Sequence, residues 1–290
     1  MGTSWSARIV DAPPCCLDAI EGVFARVIAQ MSNWQAESDI NRFNTLPIGT
    51  WVELPLDMMT VLKAGLTMAR LSGGAFDPAI GQMVERWGFG PLGVTGPEMM
   101  PAHPAPWTLI ETADQSARRL ADVSLDFSGI AKGFAVDAVA EALHDLGARH
   151  FLIEIGGELR GEGSRPDHQP WWVDVETPPR LSVPTLRIAL CGLSVATSGD
   201  YIRCRTESGT QLSHSIDPST GRPIANNVAS VTVLHESAML ADAWATAITI
   251  LGHERGMALA MRHDVAARLI LRVGDGAMEY MTPALASMLD

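Results

Sequence analysis

The sequence predicts an α+β fold, with mixed, largely antiparallel sheets flanked by helices. Short strand-like apolar stretches come in runs between helices rather than in strict βαβ alternation. Two stretches carry the 3.6-residue apolar period of amphipathic helices. Glycines and prolines mark where these elements stop.

In order, Ser4 to Val10 alternates as a first strand, ended by Pro13 and Pro14. From Asp18, the residues Ile20, Val23, Phe24, Val27 and Ile28 form one buried helical stripe. It runs into Met31-Ser32-Asn33-Trp34 and a polar segment, Gln35–Asn44. A second helix starts near Asp57 as N-cap, turns Met58, Val61, Leu62, Leu66 and Ala69 inward, and stops at Gly73-Gly74. In Gly74–Gly90, Asp77 is restricted by Pro78, and Gly81, Gly88 and Gly90 surround Trp87 and Phe89. Pro91–Pro106 reads as a surface excursion. Leu125–Phe127 reads as a short strand, followed by the Ser128-Gly129 turn and a helix closed by Gly147. Strands are expected at Phe151–Ile155, Trp171–Glu176, Leu186–Leu190, Val228–Leu234 and Arg268–Val273, with a loop at Thr177–Pro184 and a polar turn at Ala196–Asp200. Helices are expected from Ser237 to Leu251, closed by Gly252, and over His253–His263. The 290 residues are expected to form a single domain or two closely packed lobes.

The formal charge of −12 argues against a nucleic-acid-binding surface and a polybasic membrane contact, while leaving room for an anionic small ligand in a local positive field. Cys15, Cys16, Cys191 and Cys204 fit no zinc spacing. No apolar run reaches the length of a transmembrane helix, and MGTSWSARIVDAPP lacks a signal-peptide core. As written, the chain is expected in the cytoplasm; a trimmed leader would place it in the periplasm or on a membrane anchor.

Four constellations carry chemistry. In LDFSGIAKGFAVD, glycines on either side of Lys132 at a turn into a helix suit a phosphate-bearing ligand, although the Walker spacing is absent. In LADAWAT, Asp242 and Thr246 are four apart, so a helix puts a carboxylate and a hydroxyl on one face. Both are hard oxygen donors suited to Mg²⁺; the same pair can equally make a local hydrogen bond. His214 precedes the turn IDPSTG, where it can serve as acid or base or simply bond the turn. Ala75-Phe76-Asp77 and Trp34 offer a held carboxylate and stacking aromatics, or ordinary packing.

Together, MGTSW, MSNWQAESDINRFN, GGAFDPAIGQMVERWGFG, LDFSGIAKGFAVD, IEIGGELRGEG, ATSGDY, SHSIDPSTGRPI and LADAWATAITILG resemble, in this order, the FAD:protein FMN transferase family, also called ApbE. The resemblance covers residue 1 to about 252. It implies an enzyme that cleaves FAD as its substrate with Mg²⁺ or Mn²⁺, moves FMN to a Thr or Ser hydroxyl of an acceptor flavoprotein, and releases AMP. It implies that Met1 and Trp34 flank the flavin, that Ala75, Phe76 and Asp77 line the FAD site, and that Lys132 and Ile216 contribute to it. By the same resemblance, the Gly129 carbonyl, Asp242 and Thr246 hold the metal, and His214 is the base.

The chain departs from the family pattern at Ser128, Phe134, Ser215 and Glu158, the last standing where Asp or Asn is commoner. Two other readings share the same residues: an FAD pyrophosphatase giving FMN and AMP, and a flavin carrier without turnover. A pure carrier has no need of Asp242, Thr246 and His214 together.

Overall fold

The computed structural model describes residues 2–93, 106–201, 204–207 and 210–289. It has the expected α+β class, with helices against antiparallel sheets. The chain divides into two compact units: Met1–Ala25, Lys132–Ile202 and Asn226–Asp290 form the first, and Arg26–Ala131 with Arg203–Ala225 the second.

The first unit is built on a seven-stranded sheet. In spatial order its strands are β1 (Trp5–Ile9), β2 (Phe151–Ile155), β3 (Glu158–Glu162), β4 (Leu193–Gly199), β5 (Val228–His235), β6 (Ala266–Val273) and β7 (Gly276–Met281). Every neighbouring pair is antiparallel. β5 lies inside the sheet between β4 and β6, and all of it but His235 is buried, which explains its nearly continuous apolar run. Its Thr232 faces Thr197 of β4, and the two hydroxyls share a 2.9 Å hydrogen bond. Four helices accompany these strands in sequence: α1 (Cys16–Met31), whose residues from Arg26 on count with the second unit, α2 (Ala131–Asp145), α3 (Ala238–Arg262) and α4 (Pro283–Leu289). α3 packs on β3 to β6. Its small residues Ala241, Ala243, Ala245 and Ala247 are all buried, so this helix is covered on more than one face. Ser237 caps α3, its hydroxyl accepting from Leu240 N–H. Gly252 interrupts the helix at φ 78°, where Asn226 Nδ2 donates to the Thr249 and Ile250 carbonyls. The expected division into Ser237–Leu251 and His253–His263 is thus real, with an asparagine satisfying carbonyls at the break. A hairpin, Trp171–Asp174 with Arg187–Leu190, packs Trp171, Ile188 and Leu190 with Val195, Leu234 and Leu285.

In the second unit, the helix Leu56–Leu71 buries Met58, Val61, Leu62, Leu66 and Ala69, as its periodicity predicts. Asp57 is not its cap. Pro55 holds that position, and Asp57 pairs with Arg26 instead. The segment read as polar, Gln35–Asn44, contains most of the helix Asp39–Thr45, capped by Ser38. A three-stranded sheet pairs Val52–Glu53 and Ile110–Ala113 with Ser116–Arg119. Two hairpins complete the unit, Cys204–Glu207 with Thr210–Ser213 and Ile216–Asp217 with Arg222–Pro223.

Further expectations need correction. Leu125–Phe127 is not a strand: Asn33 and Asn44 donate their amides to the Leu125 carbonyl, and Asn44 Oδ1 accepts from its N–H. Side chains thus replace the partner strand. Ala196–Gly199 is not a turn but the end of β4, held by the neighbouring β5. Within the seven-stranded sheet, Glu158–Glu162 and Gly276–Met281 lie where no strand was expected, each following a glycine-bearing tight turn. Most of the Pro91–Pro106 excursion lies outside the described residues.

Candidate functional site

In the first unit, the start of α2 is bolted to the start of α3. Asp137 accepts from Ser237 Oγ at 2.7 Å and from the N–H groups of Ala238 and Met239 at 3.0 Å. A carboxylate on exposed N–H groups at a helix N-terminus is favourable on hydrogen-bond and dipole grounds. Arg160 pairs with the same Asp137 at 2.7 Å and with Glu162. One turn earlier on α2, Gly133 brings the two backbones close: a Cβ there would lie 2.2 Å from the Ala238 carbonyl oxygen. Only glycine permits that approach.

This docking fixes Asp242. Its Oδ2 accepts from Gly133 N–H at 3.2 Å, and the residue is 5% exposed. Burial pushes its carboxyl above the ordinary carboxylate range, against the opposing pull of the Lys132 charge and the Gly133 N–H. Thr246 follows one helical turn later and is half-buried. Lys132 pairs with Glu158, which is 1% exposed. Burial pushes Glu158 up to about 8, outweighing the Lys132 charge, and the Asp242 charge adds to the rise. Glu158 Oε2 is buried with no hydrogen-bond partner among the described residues. The structure therefore brings Lys132 and Asp242 into one charged group and adds Glu158, which sequence reasoning did not place in the site; Asp137 instead joins α2 to the start of α3 and pairs with Arg160. Asp137, four residues after Gly133, shares its helix face with that glycine.

In the second unit, Asp77 is held on both oxygens. Oδ1 accepts from Ala79 N–H at 2.8 Å, and Oδ2 from Trp107 N–H at 3.0 Å. Burial nevertheless raises its carboxyl to about 7. Ala75 and Phe76 are buried beside it in sequence, and Trp34 is 66% exposed. Gly129 lies in the turn after Asp126, whose Oδ1 accepts from Ser128 N–H and Oγ. His214 directly follows the strand Thr210–Ser213, at the strand end the sequence predicts. Its ring meets Phe89 edge-on, with centroids 6.4 Å apart. Ile216 is buried against Met83 and Val84. Gly129 belongs to this unit, whereas Asp242 and Thr246 belong to the first. Met1 lies outside the described residues.

Among the described residues, no three His, Cys, Asp or Glu side chains gather into a metal-binding group. A cation bound by Asp242 and Thr246 would have one protein carboxylate and one hydroxyl, and would complete its shell with ligand and water oxygens. Mg²⁺ accepts such a set, because it takes one or two carboxylates and completes its shell with waters and phosphate. The donors fit a hard divalent cation. No helix among the described residues is long and apolar enough to cross a membrane.

The model of the ApbE family matches residues 1–269. An FAD:protein FMN transferase of Haemophilus influenzae is 32% identical, over 100% of this chain and 90% of its own length. One from Vibrio cholerae is 33% identical over the same shares. Among solved structures, the apo form of Pseudomonas stutzeri flavinyl transferase ApbE superposes with a TM-score of 0.90 at 33% identity, covering 99% of this chain and 94% of that one. The Vibrio cholerae flavin transferase ApbE gives 0.88 at 31% identity, with 99% and 96% coverage. Similarity in sequence and in fold runs over nearly the whole chain, and the chain belongs to the ApbE family and is a transferase enzyme.

Proposed function

We propose that residues 1–290 act as one catalytic domain that transfers the FMN half of FAD to a Thr or Ser hydroxyl of an acceptor flavoprotein. The acceptor oxygen forms a bond to the FMN phosphorus, the pyrophosphate bond breaks, and AMP leaves. The observation that supports this most directly is Asp242, a buried carboxylate locked by Gly133 N–H on a helix that also presents Thr246, in a chain of transferase ancestry.

In this reading Asp242, Thr246 and the Gly129 carbonyl hold Mg²⁺ or Mn²⁺. When bound, the cation supplies charge neutralisation at the pyrophosphate. His214 takes the proton of the acceptor hydroxyl. Lys132 presents a second positive charge, and Glu158 keeps it in place by pairing with it. Trp34 stacks on the flavin, while Ala75, Phe76, Asp77, Ile216 and Met1 complete the FAD site. Phosphoryl transfer asks for this division of labour, since it needs in-line positioning and electrostatic stabilisation more than covalent work by the protein.

The test is mass spectrometry of a reaction containing this protein, FAD, Mg²⁺ and a flavoprotein domain with a candidate Thr acceptor. The expected result is a mass gain equal to FMN on that Thr, with stoichiometric AMP. Free FMN and AMP without a labelled acceptor, across several acceptors, would assign the chain to FAD hydrolysis instead.

A further inference from the structure

We infer that Trp87 and Phe89 are positioning residues for His214; this rests on the reading of His214 as the base. The GQMVERWGFG stretch is not absorbed by the functional reading above, yet the His214 loop leans on it at three points. Trp87 Nε1 donates to the Gly221 carbonyl at 2.7 Å, across 134 residues of sequence. Ile216, 1% exposed, is buried among Met83, Val84, Trp87 and Phe89. Phe89 meets the His214 ring at 71° with centroids 6.4 Å apart, an edge-to-face arrangement that restricts ring orientation.

The loop itself is closed. Ile216–Asp217 pairs with Arg222–Pro223, Gly221 N–H donates to the Asp217 carbonyl at 2.8 Å, and Ile224 N–H donates to the Ser215 carbonyl at 3.0 Å. A closed loop moves as a piece, so its attachment points set where His214 stands. The support is equally rigid. Trp87 and Phe89 N–H groups return to the Met83 and Val84 carbonyls, and Gly88 makes the bend at φ 73°. Glu85 covers Gly90 so closely that a Cβ there would lie 2.3 Å from its Oε1. Arg205, on the strand leading toward the His214 loop, donates to the Trp87 carbonyl at 3.4 Å. One short segment thus grips both ends of the loop: Phe89 at His214 and Trp87 at Gly221. A base displaced by about 1 Å can lose two orders of magnitude in rate while the substrate still binds.

The experiment is a double-mutant cycle on the full chain, with Trp87→Phe and His214→Asn, reading kcat and KM for FMN transfer. Trp87→Phe keeps a ring in the core and removes the N–H donor. The expected result is a kcat about tenfold lower with KM for FAD within about twofold. In the His214→Asn background, the same change is expected to lower the residual rate no further. An equal loss in both backgrounds, a loss confined to KM, or no loss overturns the inference. If His214→Asn alone leaves kcat intact, the base assignment fails and takes this inference with it, a result distinct from the other three. Phe89→Leu, run through the same cycle with the same expected outcomes, covers the case in which Trp87→Phe does not fold.

Discussion

Gly133 N–H donates to Asp242 Oδ2 at 3.2 Å across 109 residues of sequence. The same glycine lets α2 and the start of α3 approach until no side chain fits between them. Gly133→Ala sets a methyl against the Ala238 carbonyl, which as backbone cannot swing aside. We expect a loss of about 3 kcal/mol in urea unfolding, at the upper end for overpacking, together with a fall in activity. A variant within about 0.5 kcal/mol of the parent would mean that the two backbones are less tightly joined than described.

Asp242→Asn keeps an oxygen for the Gly133 N–H and removes the charge. Turnover should fall by about 10²- to 10³-fold, on the order of 3 kcal/mol, with the fold intact. The check is a Mg²⁺ titration at saturating FAD. Unchanged turnover there would remove Asp242 from the metal site.

Lys132→Met leaves Glu158 buried without its cation. Breaking a buried pair from one side costs about 3 kcal/mol or more, whereas replacing both partners with apolar groups can be nearly neutral. Lys132→Met/Glu158→Leu should therefore recover most of the lost stability. The loss also depends on pH. The Glu158 carboxyl already lies above its ordinary value, and removing Lys132 raises it further. The folded protein can then take up a proton to relieve the buried charge, so Lys132→Met should cost less at pH 6 than at pH 9. Equal losses at both pH values in chemical denaturation would contradict the buried ion pair.

Asp77 titrates in the folded state near 7, against an ordinary value of 3.8. Between those values the folded state binds more protons than the unfolded one, so this group's contribution to stability is largest below that window and is lost as pH rises through 7. Asp77→Asn has no such titration. The stability of the parent relative to Asp77→Asn should therefore grow as pH is lowered from 8 to 5. A flat difference in urea midpoints across that range would show that the two N–H donors hold Asp77 ionised throughout.

Periodic and punctuated features were legible in the sequence. The Leu56–Leu71 helix, the break at Gly252 and the Asp242/Thr246 face all follow from local spacing. The larger misses share one physical cause, a partner remote in sequence. Leu125–Phe127 has strand composition, but Asn33 and Asn44 occupy its backbone groups from 81 to 92 residues away. Ala196–Gly199 looks like a polar turn, yet β5 supplies the ladder that makes it a strand. Glu158 follows a Gly-Gly turn and reads as a surface acid. Its burial is set by the sheet around β3 and its partner is Lys132. Asp137 shows the same effect, since its role depends on where α3 begins.

The order of strands in the seven-stranded sheet is also their order in the chain. Read against synthesis, this means that each strand leaving the ribosome pairs with the sheet strand made just before it, at an edge still open. No strand has to be threaded between two older ones. The 106 residues of the second unit from Arg26 to Ala131 emerge whole between β1 and β2, and the short return, Arg203–Ala225, between β4 and β5. His214 is therefore made before the α3 residues Asp242 and Thr246, so any function that needs all three waits until α3 has emerged.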